Sequence, residues 1–168
     1  MKRQLEENIY FSLGTEQEKE ELLSLYRSVI GSEGCTWSQE YPNEAILEGD
    51  IKRRAVFVMK NQKGEILGAI SIDDDKEVDG LSCWSNSLKP AAELARVVVK
   101  EEYQNQGIAR RMFCEVMKEL RKRGYKGVHY LVSKQNKRAL RSYAKLSFEK
   151  VGECDLYGGD WWCYERKL

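Results

Sequence analysis

The stretch that most constrains the fold is residues 93–123, ELARVVVKEEYQNQGIARRMFCEVMKELRKR. Its first part holds a run of three valines, Val97 to Val99, and β-branched runs of this kind favour a buried strand. From Ile108 onward, apolar residues recur at the spacing of one helical face while charged residues fill the other face. Gly124 follows, which suits the end of a helix. The stretch therefore predicts a central strand, a tight turn and a long amphipathic helix.

A polar turn joins this strand to this helix, and its glycine stands where the helix begins. The turn consists of Gln104, Asn105, Gln106, Gly107, Ile108 and Ala109. The start of a helix presents N–H groups without partners and a partial positive charge, and a glycine lets a phosphate approach them closely. The turn lacks the Gly-Lys-Ser/Thr of a P-loop and the three spaced glycines of a dinucleotide-binding turn. It is a candidate diphosphate site, although an ordinary loop into a helix has the same composition.

The rest of the chain predicts strands and helices on both sides of this stretch. Periodicity and turn residues predict a strand over 8–13, helices over 15–30 and 43–50, strands over 54–60, 65–72 and 126–132, a helix from Asn136 to about Leu146, and closing strands over 148–153 and 161–166. This pattern favours a mixed sheet with helices on both faces.

The order of these elements, together with the turn, resembles the GNAT superfamily of acyl-CoA-dependent N-acyltransferases. The family's motif at the turn is Arg/Gln-x-x-Gly-x-Gly/Ala, which this sequence matches at Gln104, Gly107 and Ala109. The resemblance is close over residues 93–151. Two departures are mild: a frequent proline-containing turn after the strand is missing, and Ser147 stands where a glycine is usual.

The resemblance implies a fold and a cofactor. The expected fold is α/β (α+β), with a mostly antiparallel central sheet of six to seven strands and one N-acetyltransferase domain over residues 1–168. The expected reaction is direct transfer of an acetyl group from acetyl-CoA to a primary amine, without a metal. The implied cofactor contacts are the strand backbone, the turn and one asparagine: Val97, Val98, Val99, Gln104, Asn105, Gln106, Gly107, Ile108, Ala109, Arg110 and Asn136.

The resemblance also implies catalytic and acceptor-binding residues. Tyr143 matches the family's usual general acid, since a tyrosine keeps its proton at neutral pH and can donate it to a thiolate. Glu93 matches a glutamate that serves as general base in some branches; another carboxylate or a chain of waters does so in others. Trp37 and Tyr41 are candidate acceptor contacts. The structural alternatives are a tyrosine bonded in the interior, a salt-bridged glutamate and two aromatics that fill the edge of the core.

The distribution of charge agrees with an anionic cofactor and a cationic acceptor. Of 28 Lys/Arg and 27 Asp/Glu residues, the segment 104–145 holds 12 and 2, which leaves a net charge of about −9 on the rest. The alternative is that basic residues only solvate two helices. There is no basic tail or nucleic-acid reading motif, so we expect no nucleic-acid partner. No apolar run suits a membrane span or a signal peptide, so we expect a cytoplasmic protein without a membrane partner.

Two further sequence features carry weaker expectations. The acidic run over 73–79 favours a solvated turn over a substrate-attracting patch, and its spacing excludes an EF-hand loop. Edge strands near Trp161 and Trp162 offer a route to a homodimer. His129 lies within a predicted strand, where a packed histidine is expected, and the five cysteines form no metal-binding pattern.

Two classes of function remain at this stage. The first is an N-acetyltransferase whose acceptor is an amine-bearing small molecule or a protein amino group. The second is a non-catalytic acyl-CoA-binding or interaction protein on the same fold. Replacing Tyr143 with phenylalanine separates them, because only an enzyme has turnover to lose.

Overall fold

The computed structural model describes residues 8–168, and that range forms seven strands and five helices. The prediction that the N-terminus lacks a signal-peptide core lies partly on residues 1–7, outside this range. The strands are β1 (Tyr10–Leu13), β2 (Val56–Lys60), β3 (Ile66–Asp73), β4 (Ala91–Val99), β5 (Gly127–Ser133), β6 (Glu149–Leu156) and β7 (Gly159–Lys167). The helices are α1 (Lys19–Ser28), α2 (Glu44–Lys52), α3 (Lys76–Asp79), α4 (Ile108–Lys122) and α5 (Lys137–Tyr143). Across residues 8–168, no helix has the length and apolarity that a bilayer span requires.

The strands form one sheet in the order β1-β2-β3-β4-β5-β7-β6. Every neighbouring pair is antiparallel except β4 and β5, which are parallel. The predicted mixed, mostly antiparallel sheet is thus confirmed. The expected edge strand at Trp161 and Trp162 is wrong, because β7 lies inside the sheet and pairs with both β5 and β6. Cross-strand pairing on both sides of β7 was not visible in the sequence, and a homodimer remains a prediction.

Helices cover both faces of the sheet, each with its own apolar core. On one face α4 buries Met112, Phe113, Val116 and Leu120 against the sheet. On the other face α1 buries Leu22, Leu23, Leu25 and Tyr26. The periodic apolar stripes of the sequence are the physical reason, because each amphipathic helix removes one face from water. The sheet is therefore held between two layers, and its central strands are fixed.

The two central strands, β4 and β5, separate soon after they begin. They pair only through Ala91–Glu93 and Gly127–His129. Beyond Glu93, β4 continues to Val99 beside β3, and β5 continues to Ser133 beside β7. A sheet that opens between two strands leaves a wedge-shaped gap at its centre, and this gap positions the site described below.

A β-bulge in β4 accompanies the separation. Ala69 pairs with Val98 and Ser71 with Ala95, so Arg96 and Val97 together oppose one residue of β3. Arg96 has a φ of +51°, a left-handed conformation that costs roughly 1–2 kcal/mol for a residue with a side chain. Buried ion pairs of the same arginine, described below, offset this strain.

Candidate active site

A cleft of about 1040 Å³ occupies the gap between β4 and β5. One wall is the β4 segment from Leu94 to Val99, and the other is the end of β5 with the start of α5. The loop between α1 and α2 lies against the same cleft through residues 32–37. Gly34 of this loop packs against Asn136, since a Cβ on Gly34 would lie 3.0 Å from the Asn136 Oδ1 atom. The loop and α5 therefore meet across the cleft.

The turn between β4 and α4 lines this cleft through Gln104, Asn105 and the residues 107–110. Gly107 caps α4 with a φ of +83°, a conformation that glycine adopts without strain. The first hydrogen bond at the start of α4 runs from the Arg111 N–H to the Gly107 carbonyl at 3.0 Å. The N–H groups of Ile108, Ala109 and Arg110 precede this bond, so the helix itself offers them no carbonyl. Together with the helix dipole, they can hold an anion.

Side chains of the turn brace its backbone. The Gln104 amide donates to the Val99 carbonyl at 3.0 Å, and the Gln106 amide donates to the Glu102 carbonyl at 3.2 Å. Both bonds tie the turn to the segment that leaves β4. The glutamines thus hold the loop in place at the cleft, which Gly107, Ile108 and Ala109 line.

Most of the residues predicted for cofactor and substrate binding line the cleft. They are Trp37, Val97, Val98, Val99, Gln104, Asn105, Gly107, Ile108, Ala109, Arg110, Asn136 and Tyr143. Three predicted site residues, Gln106, Glu93 and Tyr41, are not among the residues that line it. Their roles, like those of the lining residues, remain predictions.

Basic residues line both walls of the cleft. Arg96 and Arg110 belong to the β4 side and its turn, and the others lie in or directly after α5: Lys137, Arg138, Arg141 and Lys145. Cations and helix N–H groups both attract phosphate, since both act on the same charge. The cleft therefore suits a polyanionic ligand.

Tyr143 stands at the end of α5 within an aromatic group. Its ring centroid lies 4.6 Å from that of Phe113 and 5.4 Å from that of Tyr130. Burial raises the pKa of Tyr143, so the hydroxyl keeps its proton at neutral pH and above. The side chain is thus fixed by packing, and it lines the cleft in its protonated form.

Asn136 is the N-cap of α5. Its Oδ1 atom accepts from the Ala139 N–H at 3.0 Å, which satisfies a donor at the start of the helix. The side-chain amide group still has two N–H donors beside the cleft. Asn136 therefore has a structural role that the sequence analysis did not assign, in addition to its predicted one.

Glu93 is the last residue at which β4 pairs with β5, and its side chain belongs to an acidic cluster. We use the name acidic cluster for Asp73, Asp75 and Glu93, which each place one carboxylate oxygen within 4.8 Å of the others. Glu93 is only 5% exposed, and its Oε1 atom has no hydrogen-bond partner. Burial, followed by the charges of Asp73, Asp75 and Asp79, raises the pKa of Glu93 to about 9.

The two predicted acceptor contacts lie in different surroundings. Trp37 lines the cleft and packs edge-on against Tyr26, with 5.4 Å between the ring centroids. Tyr41 is 42% exposed, and its hydroxyl oxygen accepts from the Arg96 guanidinium at 3.2 Å. The acidic side of β4 is therefore within reach of Tyr41, and the cleft within reach of Trp37.

Arg96 is the main structural residue of the site that the sequence analysis missed. Its side chain is 2% exposed and bonds both Asp50 oxygens, at 2.9 and 2.8 Å, and one Asp73 oxygen at 2.9 Å. The ion pairs join α2, β3 and the bulge of β4. An arginine within an apolar strand was the one signal that could have drawn attention to it, since buried arginines are almost always paired.

His129 lies beside Glu93 in register but does not line the cleft. Its ring stacks on Trp84, and its Nε2 atom is 2.9 Å from an Asp79 oxygen. Because burial lowers the pKa of His129, the ring is neutral at neutral pH and Nε2 carries the proton that it donates. The predicted packed histidine is confirmed.

Comparison with protein families identifies one match that covers most of the chain. The model described as the acetyltransferase (GNAT) family matches residues 20–148. No curated protein sequence matches the chain.

Solved structures of low sequence identity share the fold. A GNAT family acetyltransferase from Streptococcus agalactiae is 15% identical with a TM-score of 0.80, and the match covers 96% of each chain. The yncA protein of Salmonella typhimurium, solved with its cofactor acetyl-CoA, is 16% identical with a TM-score of 0.74, over 96% of this chain and 94% of that one. The paia N-acetyltransferase of Thermoplasma acidophilum, solved with coenzyme A, is 19% identical with a TM-score of 0.71, over 96% and 99%.

Proposed function

This chain belongs to the GNAT acetyltransferase family, and from that premise we propose that it is an N-acetyltransferase using acetyl-CoA. It moves the acetyl group directly to a primary amine, carried by a small molecule or by a protein. The whole chain, residues 1–168, acts as one catalytic domain, and no metal takes part. The observation that carries the proposal is the cleft between β4 and β5, with the N-terminus of α4 at one end.

The cleft supports acetyl-CoA as the donor in two ways. The N–H groups of Ile108, Ala109 and Arg110 are available to the diphosphate, and the basic residues of the cleft suit the remaining phosphate. The edge of β4 beyond Glu93 has no β5 partner, so the pantetheine arm can pair with it as an added strand does. A backbone N–H of Val97 to Val99 then faces the developing oxyanion.

The reaction needs a base for the amine and an acid for the thiolate. Glu93 takes a proton from the acceptor's ammonium group, and the freed amine attacks the thioester carbonyl. When the tetrahedral intermediate collapses, Tyr143 gives its proton to the departing thiolate. The raised pKa of Tyr143 keeps its hydroxyl protonated until the thiolate forms. The raised pKa of Glu93 makes its deprotonated form a strong base, and that form becomes populated as the pH approaches 9.

The test is a turnover assay with a panel of amines. The purified protein is mixed with acetyl-CoA and each amine, free thiol is followed by a colour reagent, and products are identified by mass. The expected product is an N-acetyl amide, which resists hydroxylamine, whereas an ester does not. Thiol release that yields an ester contradicts the N-acetyl assignment. Acetyl-CoA binding without turnover by any amine supports the non-catalytic alternative.

A further inference from the structure

The acidic cluster lies next to the cleft and is not explained by the fold. It draws on the segment 73–79, which carries five acidic residues and one lysine. The sequence analysis favoured a solvated turn for this segment. In the structure Asp74, Glu77 and Asp79 are exposed to solvent, while Asp73 and Asp75 lie beside the buried Glu93.

The cluster has the geometry of a cation site. All three oxygens lie within 4.8 Å of one another. One ammonium group bonds acceptors at about 2.8 Å in tetrahedral directions, which places the acceptors about 4.6 Å apart. The Glu93 Oε1 atom is buried without a partner, so it has full capacity to accept.

Asp73 and Asp75 keep capacity for a further bond despite their present partners. Asp73 accepts from the Asp74 N–H and from Arg96, one bond at each oxygen. Asp75 accepts from the Glu77 N–H and from the Tyr157 hydroxyl, again one at each oxygen. A carboxylate offers about four acceptor positions, so each oxygen still has one.

The charges around the cluster are not balanced by the nearby arginine. Asp73, Asp75 and Asp79 all act on Glu93, and the opposing charge comes from Arg96. Arg96 already bonds both oxygens of Asp50. The surplus is negative, which attracts a cation and repels an anion such as coenzyme A.

The cluster adjoins the cleft through β4, because Leu94 and Ala95 line the cleft directly after Glu93 in the chain. Tyr41 and Tyr157 border the cluster through the Arg96 and Asp75 contacts, and both are exposed at the surface. Exposed aromatic rings beside carboxylates suit an alkyl chain that carries positive charge.

We propose that the acidic cluster binds the second ammonium group of the acceptor, so that the enzyme selects linear alkyl diamines or polyamines over monoamines. The proposal rests on the proposed function. One ammonium stays charged between Asp73 and Asp75, and the other meets Glu93 and is acetylated.

Protons and bonds balance in this scheme. The reacting ammonium gives one proton to Glu93, its nitrogen bonds to the acetyl carbon, and the carbon–sulfur bond breaks. Tyr143 protonates the thiolate, and the second proton that leaves the nitrogen replaces the one that Tyr143 gave. The distal ammonium is unchanged and holds the acceptor in place throughout.

The test compares three acceptors that differ only at the far end: 1,4-diaminobutane, 4-amino-1-butanol and n-butylamine. For the wild-type protein we expect kcat/KM for the diamine to exceed that of the other two by roughly tenfold to a hundredfold, the range for a charged hydrogen bond.

Asp75→Asn keeps an N-cap for α3 and removes the charge. Relative to n-butylamine, it should lower kcat/KM for the diamine about tenfold, mainly through KM; the ratio matters because Asp75 also acts on the pKa of Glu93, which affects all acceptors alike. Glu77→Gln is the matched control from the same exposed segment and should leave this ratio unchanged.

Three results overturn the inference. In the first, the wild-type protein uses the diamine and the amino alcohol equally. In the second, Asp75→Asn changes the three values by the same factor. In the third, millimolar calcium or magnesium chloride raises the unfolding temperature through Asp75 while the diamine does not, which assigns the cluster to a metal ion. Calorimetric titration of 1,4-diaminobutane into the protein saturated with coenzyme A separates this question from catalysis. If no amine is acetylated, the proposed function fails, and loss of diamine binding in Asp75→Asn still decides the cation site.

Discussion

The two ends of β4 differ in charge and in the way the chain builds them. Its C-terminal end leads into the turn and α4, and the cleft there is lined by helix N-terminal residues together with Arg110, while further basic residues come from the α5 region. Its N-terminal end carries Glu93 beside Asp73 and Asp75. One strand therefore separates a site suited to an anion from a site suited to a cation. Charge alone therefore distinguishes the sites proposed for the two substrates, acetyl-CoA and the amine.

The turn at the C-terminal end of β4 is built locally, whereas the acidic end needs distant segments. The turn and α4 follow β4 without interruption, and their N–H groups are a property of any helix start. The acidic end joins β3, α3, the bulge of β4 and the hairpin between β6 and β7, which supplies Tyr157. The stability of the acidic end depends on buried charges that must be paired.

The largest expected effect tests whether the acidic end depends on the buried ion pairs of Arg96. Arg96→Met leaves Asp50 and Asp73 buried without that cation, and we expect a loss of about 3–5 kcal/mol in the free energy of unfolding. Arg53→Met removes a more exposed partner of the same Asp50, and about 1 kcal/mol is expected. Urea denaturation at 25 °C measures both. Equal, small losses in the two variants would show that the acidic end is not held by Arg96.

A smaller effect tests whether Tyr143, on the cleft side of β4, acts as the general acid. Tyr143→Phe keeps the packing against Phe113 and removes the proton donor, so kcat should fall about a hundredfold, or roughly 2.7 kcal/mol of barrier. Acetyl-CoA affinity should change little. Tyr164→Phe is the matched control, because Tyr164 stacks on Tyr130 in the same aromatic group but does not line the cleft. If both substitutions lower kcat alike, Tyr143 has a packing role and not a chemical one.

The smallest expected effect concerns the pH dependence of the acidic end. With a pKa of about 9, Glu93 is protonated at neutral pH in the free protein, so kcat/KM should rise about tenfold per pH unit from pH 7 toward 9. Glu93→Gln should be slower across this range, since its reaction is confined to acceptor molecules that are already free amines. A wild-type profile that is flat between pH 7 and 9 argues against Glu93 as the base.

Stability should respond to pH in the opposite direction. The folded-state pKa of Glu93 is raised above its unfolded value of 4.5, so its contribution is fully present below that value. It is lost as the pH rises toward 9, because the folded protein holds a proton that the unfolded chain releases. Glu93→Gln should weaken this decline in the unfolding free energy.

The sequence predicted the turn, α4 and the start of α5 well, because each of these features is encoded in a short continuous segment. The helix expected from Ile108 runs from Ile108 to Lys122, and Gly107 caps it at a positive φ. Asn136 was expected at the start of a helix and is its N-cap. These features follow from local periodicity and turn chemistry, which a single segment contains.

The acidic end and the order of the last strands could not be predicted in the same way. The acidic run over 73–79 was interpreted as a solvated turn, because its contact with Glu93 depends on the pairing of β3 with β4. Arg96 is polar within an apolar strand, yet its partner Asp50 lies 46 residues away in the chain. Strand β7 was expected at an edge because its own sequence does not indicate that β6 pairs with its outer side.

The most direct test of the central claim is hydrogen exchange of the backbone amides, measured by mass spectrometry with and without acetyl-CoA. The N–H groups of Ile108, Ala109 and Arg110 precede the first helical hydrogen bond, so they should exchange quickly in the free protein. Acetyl-CoA should slow their exchange, together with that of residues 97–99, and leave residues 73–79 unchanged. Protection confined to another part of the chain, or no protection at saturating acetyl-CoA, would contradict the placement of the cofactor between β4 and β5.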